Sequence, residues 1–200
     1  MATNRRKFKR PLREQRYRKL FLIAAEGDKT EPQYFRMLNN IHITIRVNCL
    51  KGHSKSSPLQ VLKRMKDYLV DAGLKKSDEA WLVVDKDQWN DEQLNQLFQW
   101  SKLKENYGFA LSNPKFEYWI LLHFEDGTGV STSRECTDQL KKYLPDYDKE
   151  IPISKLKNCV QLAIGRAKKK DSPPCDTWPQ TTGTTVYRLV EKIMAAEKET

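Results

Sequence analysis

The tightest constraint on the fold is a recurring order of segments in which short, continuously apolar runs end in acids and alternate with helical patterns. Residues 20–25 (LFLIAA) lie between a charged stretch and Glu26-Gly27, the pattern of a strand buried on both faces. Thr30 and Gln33 stand at capping-box spacing with Pro32 in the first turn, which predicts a helix over 31–39. Ile41, Ile43, Ile45 and Val47 alternate strictly and predict a second strand. Ser57-Pro58 opens a second helix, with Leu59, Leu62, Met65, Leu69 and Val70 at helical spacing and Gly73 closing it. AWLVV at 80–84 is the third strand, a polar amphipathic helix runs from Asp91 to about 106, and FALS at 109–112 is a fourth strand. Strands alternating with helices imply right-handed crossovers and a mainly parallel, four-stranded sheet flanked by helices: an α/β fold. After Asn113-Pro114, KFEYWILLHF is apolar nearly all round and predicts a buried helix. Helices near 134–144, 154–169 and 184–197 make the C-terminal third helical, and the Pro/Asp/Thr-rich stretch 171–184 is a long loop of the functional or mobile kind.

Two hundred residues suit one domain. The formal charge of +10 is concentrated: residues 1–20 hold nine Lys/Arg against Glu14, a net +8, leaving +2 for the rest. We therefore expect a basic arm over 1–18 and a single domain over 19–200. Such an arm suits an anionic partner, nucleic acid rather than membrane because it has no apolar face, or it is simply a solvated terminus. The apolar runs are too short to span a bilayer and none resembles a secretory signal, so a soluble, cytoplasmic protein is the expectation. Cys49, Cys136, Cys159 and Cys175 form no CxxC pair, and His42, His53 and His123 are scattered. That leaves little material for zinc, a disulfide framework or a His-based triad, and makes carboxylates the expected agents of any chemistry.

In an open parallel sheet, ligands bind outside the carboxyl ends of the strands. Glu26 follows the first strand, Asp85 and Asp87 the third, and Glu117 the fourth. Asp85 and Asp87 are two apart, so on extended backbone both address one side. Oxygen-only ligands in this number select a hard cation, Mg²⁺ or Mn²⁺. Each acid also has a plainer use: Asp-x-Asp serves turns, Glu26 suits a loop, and Glu117 favours a helix dipole. Glu117, however, lies between Phe116 and Tyr118-Trp119 on a helix predicted to be buried, where a carboxylate needs a cation or donors.

The blocks LFLIAAEGDKTEPQYF, WLVVDKDQW, SNPKFEYWILLHF and TTVYRLVEKI, in this order over residues 18–192, resemble the RloB-like family of bacterial defence loci, itself regarded as a variant of the Toprim fold. The resemblance implies a metal-dependent phosphodiesterase. By position Glu26 matches the Toprim glutamate, a general acid/base or metal ligand, and Asp85 with Asp87 match the DxD pair that holds Mg²⁺. Asn113 and Glu117 fall where they complete or extend the site. Related Toprim nucleases of the overcoming-lysogenization type carry a further acid where this chain has Thr30, so a second metal ion requires Asp28, Glu31 or Glu117 to supply the missing ligand.

The expectation is thus a Mg²⁺-dependent nuclease acting on RNA, tRNA included, or DNA, an effector of phage defence by abortive infection. Asp85 and Asp87 hold the ion, Glu26 handles the proton, and Lys29, Lys86 and Lys115 flank the acids as phosphate contacts. Residues 51–55 and the cluster Arg166, Lys168, Lys169 and Lys170 extend a basic path, along which Trp89 and Trp178 stack bases or else cover core edges. The chain has no GxxxxGK[ST] loop, so ATP sensing falls to a partner ATPase, with self-assembly as another means of control. The rival outside catalysis is a nucleic-acid- or partner-binding module whose acids only cap turns.

Overall fold

Alternate residues of the first strand enter two different cores, which makes this strand the centre of a sheet covered on both sides. Phe21, Ile23 and Ala25 join one cluster of buried side chains, while Leu22 and Ala24 join another. The computed structural model describes residues 19–39, 45–51, 56–86 and 89–198. The basic arm, Asp87 and residues 52–55 of the basic cluster lie outside the described residues.

The elements are β1 (Lys19–Ala25), α1 (Thr30–Asn39), β2 (Ile45–Cys49), α2 (Pro58–Ala72), β3 (Glu79–Asp85), α3 (Asp91–Ser101), β4 (Tyr107–Asn113), α4 (Phe116–Leu121), α5 (Ser133–Tyr143), α6 (Ile153–Lys157), α7 (Val160–Lys170), β5 (Gly183–Thr184) and α8 (Val186–Lys198). The sheet order is β2-β1-β3-β4-β5, parallel except for the last pair. The chain moves one way from β1 to β2 and the other way to β3. Right-handed crossovers therefore place α1 on one face and α2 with α3 on the opposite one. The two cores agree: Tyr34, Phe35 and Leu38 of α1 pack with α4, α5, α7 and α8, whereas Val61, Met65, Leu94 and Leu97 pack beneath the other face. The reversal of direction falls between β1 and β3, and it opens a crevice beyond their carboxyl ends.

Several expectations need revision. The sheet has five strands, because Gly183–Thr184 inside the long loop pairs antiparallel with Ser112 and Asn113; two residues are too few to show alternation. Ser57-Pro58 opens α2 as expected, and Ser57 caps it through a complete box with Gln60. Thr30 does not cap α1, because its hydroxyl is directed to Tyr147 and the Lys149 carbonyl. In α2, Val70 is 84 % exposed and Leu59 37 %, while Val61 takes the inward place. The helix after Pro114 is shorter than its apolar run. His123 Nδ1–H donates to the Trp119 carbonyl at 3.0 Å, so the His123 amide turns to Ile120 and the α-helical pattern ends. The helix from Asp91 stops at Ser101, whose hydroxyl donates to the Phe98 carbonyl at 2.7 Å. The predicted helix 154–169 breaks between Lys157 and Val160 although the buried spacing of Leu156, Val160, Ala163 and Ala167 runs through the break. No helix among the described residues is long and apolar enough to cross a membrane.

Candidate active site

Beyond the ends of β1 and β3 lies a cleft of ≈ 430 Å³. Its wall is made by residues 26–31, Asp85, Trp89, Phe116, Glu117 and Lys149. The position of Glu26 follows from the sheet: its backbone amide donates to the Val83 carbonyl at 3.0 Å, continuing the β1–β3 ladder by one residue. Its carboxylate is fixed at both oxygens. The Asp85 amide donates to Oε2 at 3.2 Å and the Trp89 indole to Oε1 at 3.0 Å. Trp89 is therefore a neighbour of the acid.

Glu31 turns back from the first turn of α1, where its Oε1 accepts the Gly27 amide at 2.8 Å. The contact requires glycine, since a Cβ at position 27 would stand 2.2 Å from Glu31 Oε2. Glu31 is 6 % exposed. Burial pushes its carboxyl up to about 7, and the Glu117 and Glu26 charges add to the rise against hydrogen bonds from its own and the Gly27 backbone. Asp85 is raised well above the ordinary range, first by burial and then by Glu31, Glu26 and Glu117, with the Phe116 amide opposing. Glu117 Oε1 accepts the Tyr147 hydroxyl at 3.0 Å, and that hydroxyl lies 3.2 Å from Thr30 Oγ1. Thr30 in turn donates to the Lys149 carbonyl.

Glu26, Asp85 and Glu117 thus share one cleft, with Glu31 and Asp28 beside them. Asp87 lies outside the described residues. The predicted phosphate contacts fall elsewhere, apart from Lys29, which lines the cleft. Lys86 is ion-paired with Asp91, and Lys115 donates to Thr137 at 2.6 Å. Asn113 donates to the Pro179 carbonyl at 3.1 Å, tying β4 to the long loop. Arg166 donates to the Leu122 carbonyl at 2.7 Å, and Lys168 pairs with Glu191 at 2.7 Å. Trp178 is a core residue, 5 % exposed against Phe98 and Phe109, and is not available to stack bases. The site residues that sequence reasoning missed are Tyr147 and Lys149, which sit more than a hundred residues from the acids of the first turn.

The donor set suits a hard cation in kind: all oxygen, and with carboxylates that raise one another's affinity for protons, a repulsion that a divalent ion relieves. Among the described residues no group of three or more His, Cys, Asp or Glu side chains is gathered so that it holds a metal ion as it stands.

A family model described as RloB-like protein matches residues 21–193. No curated protein and no solved structure gives a significant match.

Proposed function

The chain belongs to the RloB-like protein family, and from that premise we propose that its cleft is the active site of a divalent-metal-dependent nuclease of Toprim type. It hydrolyses phosphodiester bonds in RNA, tRNA included, or in DNA, as an effector of phage defence by abortive infection. The observation that carries this reading is the convergence of Glu26, Glu31, Asp85 and Glu117 on one cleft at the switch point of the sheet, with Glu31 and Asp85 held above their ordinary protonation range by burial first and then by the neighbouring acids.

Asp85, Glu117 and Glu31 would hold Mg²⁺ or Mn²⁺, together with Asp87. A bound ion of this kind supplies Lewis-acid polarisation of the phosphoryl group and acidifies water. Glu26 is the residue suited to handle the proton, since it lines the cleft and the Asp85 amide and the Trp89 indole fix the plane of its carboxylate. Phe116 supplies an apolar wall that strengthens electrostatic effects near it. Control by ATP falls to a separate partner ATPase, and self-assembly is a second means of restraint. The place of action is the cytoplasm.

The test is cleavage of labelled tRNA, single-stranded RNA and duplex DNA by wild type and Asp85→Ala, with Mg²⁺, Mn²⁺ or EDTA, on denaturing gels. Metal-dependent cuts that vanish in the variant are expected. Equal binding by both proteins without any cut would turn the reading to a binding module.

A further inference from the structure

The cleft poses an electrostatic problem for the substrate proposed above. Among the described residues lining it are five acids and two lysines, Lys29 and Lys149, so a phosphodiester must enter a site of its own sign. Of the other cations expected to meet it, four have partners away from the cleft: Lys86 with Asp91, Lys115 with Thr137, Arg166 with the Leu122 carbonyl and Lys168 with Glu191.

Lys149 differs from Lys29 in how its backbone is held. Its carbonyl accepts Thr30 Oγ1 at 3.2 Å and Gln33 Nε2 at 3.1 Å, both from α1. The Ile151 amide returns a bond to Gln33 Oε1 at 3.3 Å. One glutamine side chain thereby clamps both sides of the turn. At the same residue φ is 62°, the left-handed region that a side chain bearing a Cβ disfavours. Glycine or asparagine would fit that backbone with less strain, so a lysine there points to use of its side chain. Thr30 also sits against the Tyr147 hydroxyl that donates to Glu117. The turn is thus fastened to the acidic cluster itself.

We infer that Lys149 is a substrate-binding residue of the cleft, its ammonium meeting a phosphate oxygen of the nucleic-acid backbone, and that Gln33 is the positioning residue that presents it. This rests on the nuclease reading. A cation on a clamped turn contributes most to holding the phosphate, because its position is already paid for before substrate arrives.

The test measures kcat and KM on the cleaved probe, and binding of tRNA and of a duplex DNA in EDTA across a salt series. Lys149→Ala should raise KM or Kd about tenfold with kcat changed less than about threefold, and should lower the slope of log affinity against log salt by about one. Lys149→Arg should restore most of the affinity. Gln33→Ala should weaken binding in the same direction and add nothing in the Lys149→Ala background. The inference is overturned if Lys149→Ala binds as wild type, if it lowers kcat at unchanged KM, or if arginine rescues no better than alanine. The two readings fail differently. Metal-dependent cuts lost in Asp85→Ala with no effect at Lys149 remove only this inference, whereas a wild type that neither cuts nor binds removes both.

Discussion

The indole N–H of Trp89 donates to Oε1 of Glu26 at 3.0 Å, across a separation of sixty-three residues, while the Asp85 amide holds the other carboxylate oxygen. Two donors from the strand-three side therefore set the plane of an acid that belongs to strand one. Trp89→Phe keeps the ring in the cleft wall and removes only the N–H. A hydrogen bond to a charged group contributes about 1.5–3 kcal/mol, so kcat should fall roughly tenfold or more with KM nearly unchanged. Steady-state kinetics with a thermal melt checks this; a lowered melting point with unchanged kcat would make Trp89 a packing residue alone.

Glu31 makes the stability of the fold depend on pH in an unusual direction. Its carboxyl is raised from 4.5 to about 7, first by burial. The folded state therefore keeps a proton that the unfolded chain has released. The associated stability is full below pH 4.5 and is lost as pH rises through 7, a change of about 3 kcal/mol. Glu31→Gln still accepts the Gly27 amide and cannot ionise. In metal-free buffer it should match wild type near pH 4 and exceed it increasingly toward pH 8, as read by denaturant titration. A pH-independent difference between the two proteins would contradict the assignment.

Relief of the same repulsion gives a readout of metal binding without catalysis. Coordination requires ionised carboxylates, so Mg²⁺ should raise the melting temperature of wild type more at pH 8 than at pH 6. At ten times its dissociation constant the ion contributes about 1.4 kcal/mol. Asp85→Asn should lose most of this response while melting at or above the wild-type temperature in EDTA, since it removes a carboxyl whose ionisation is opposed by burial and by the Glu31, Glu26 and Glu117 charges. Equal responses from both proteins would place the ion elsewhere.

The parts of the site that could be read from the sequence are those fixed by local pattern. Continuous apolar runs mark β1 and β3, and an acid directly after such a run must sit at the carboxyl rim, which locates Glu26 and Asp85. Ser57-Pro58 marks the start of α2 for the same local reason. Glu31 was visible as a spare acid, but its burial depends on the close return to Gly27, a relation that helical periodicity does not express. Tyr147 and Lys149 join Thr30 over separations of 117 and 119 residues. Nothing near them in sequence distinguishes PDYDKE from a solvated loop. Lys86 and Lys115 neighbour the acids in sequence, and their pairing with Asp91 and Thr137 is likewise a relation that local pattern does not express.

The long loop 171–184 is fastened at its root by Asp171, and its loss should be felt in stability rather than at the cleft. Asp171 is 8 % exposed and accepts the Cys175 amide at 2.9 Å, the Tyr187 hydroxyl at 2.8 Å and Arg188 Nη2 at 2.7 Å. Arg188 also donates to the Cys175 carbonyl at 2.9 Å, so acid and guanidinium close the same turn from both sides. Burial alone would raise the carboxyl. The Cys175 amide and the Tyr187 and Arg188 donors outweigh it and hold Asp171 below its ordinary 3.8. The resulting stability is present above pH 3.8 and is lost as pH falls through the lower folded value. Asp171→Asn turns an NH₂ toward two donors and should cost roughly 2–3 kcal/mol at pH 7, with the gap to wild type closing below pH 3.8. Urea unfolding at pH 7 and pH 3 measures both. Because neither Asp171 nor the groups that bond to it line the cleft, the Mg²⁺-induced shift in melting temperature should persist in this variant. Its disappearance would mean that the loop helps to hold the carboxylates in place.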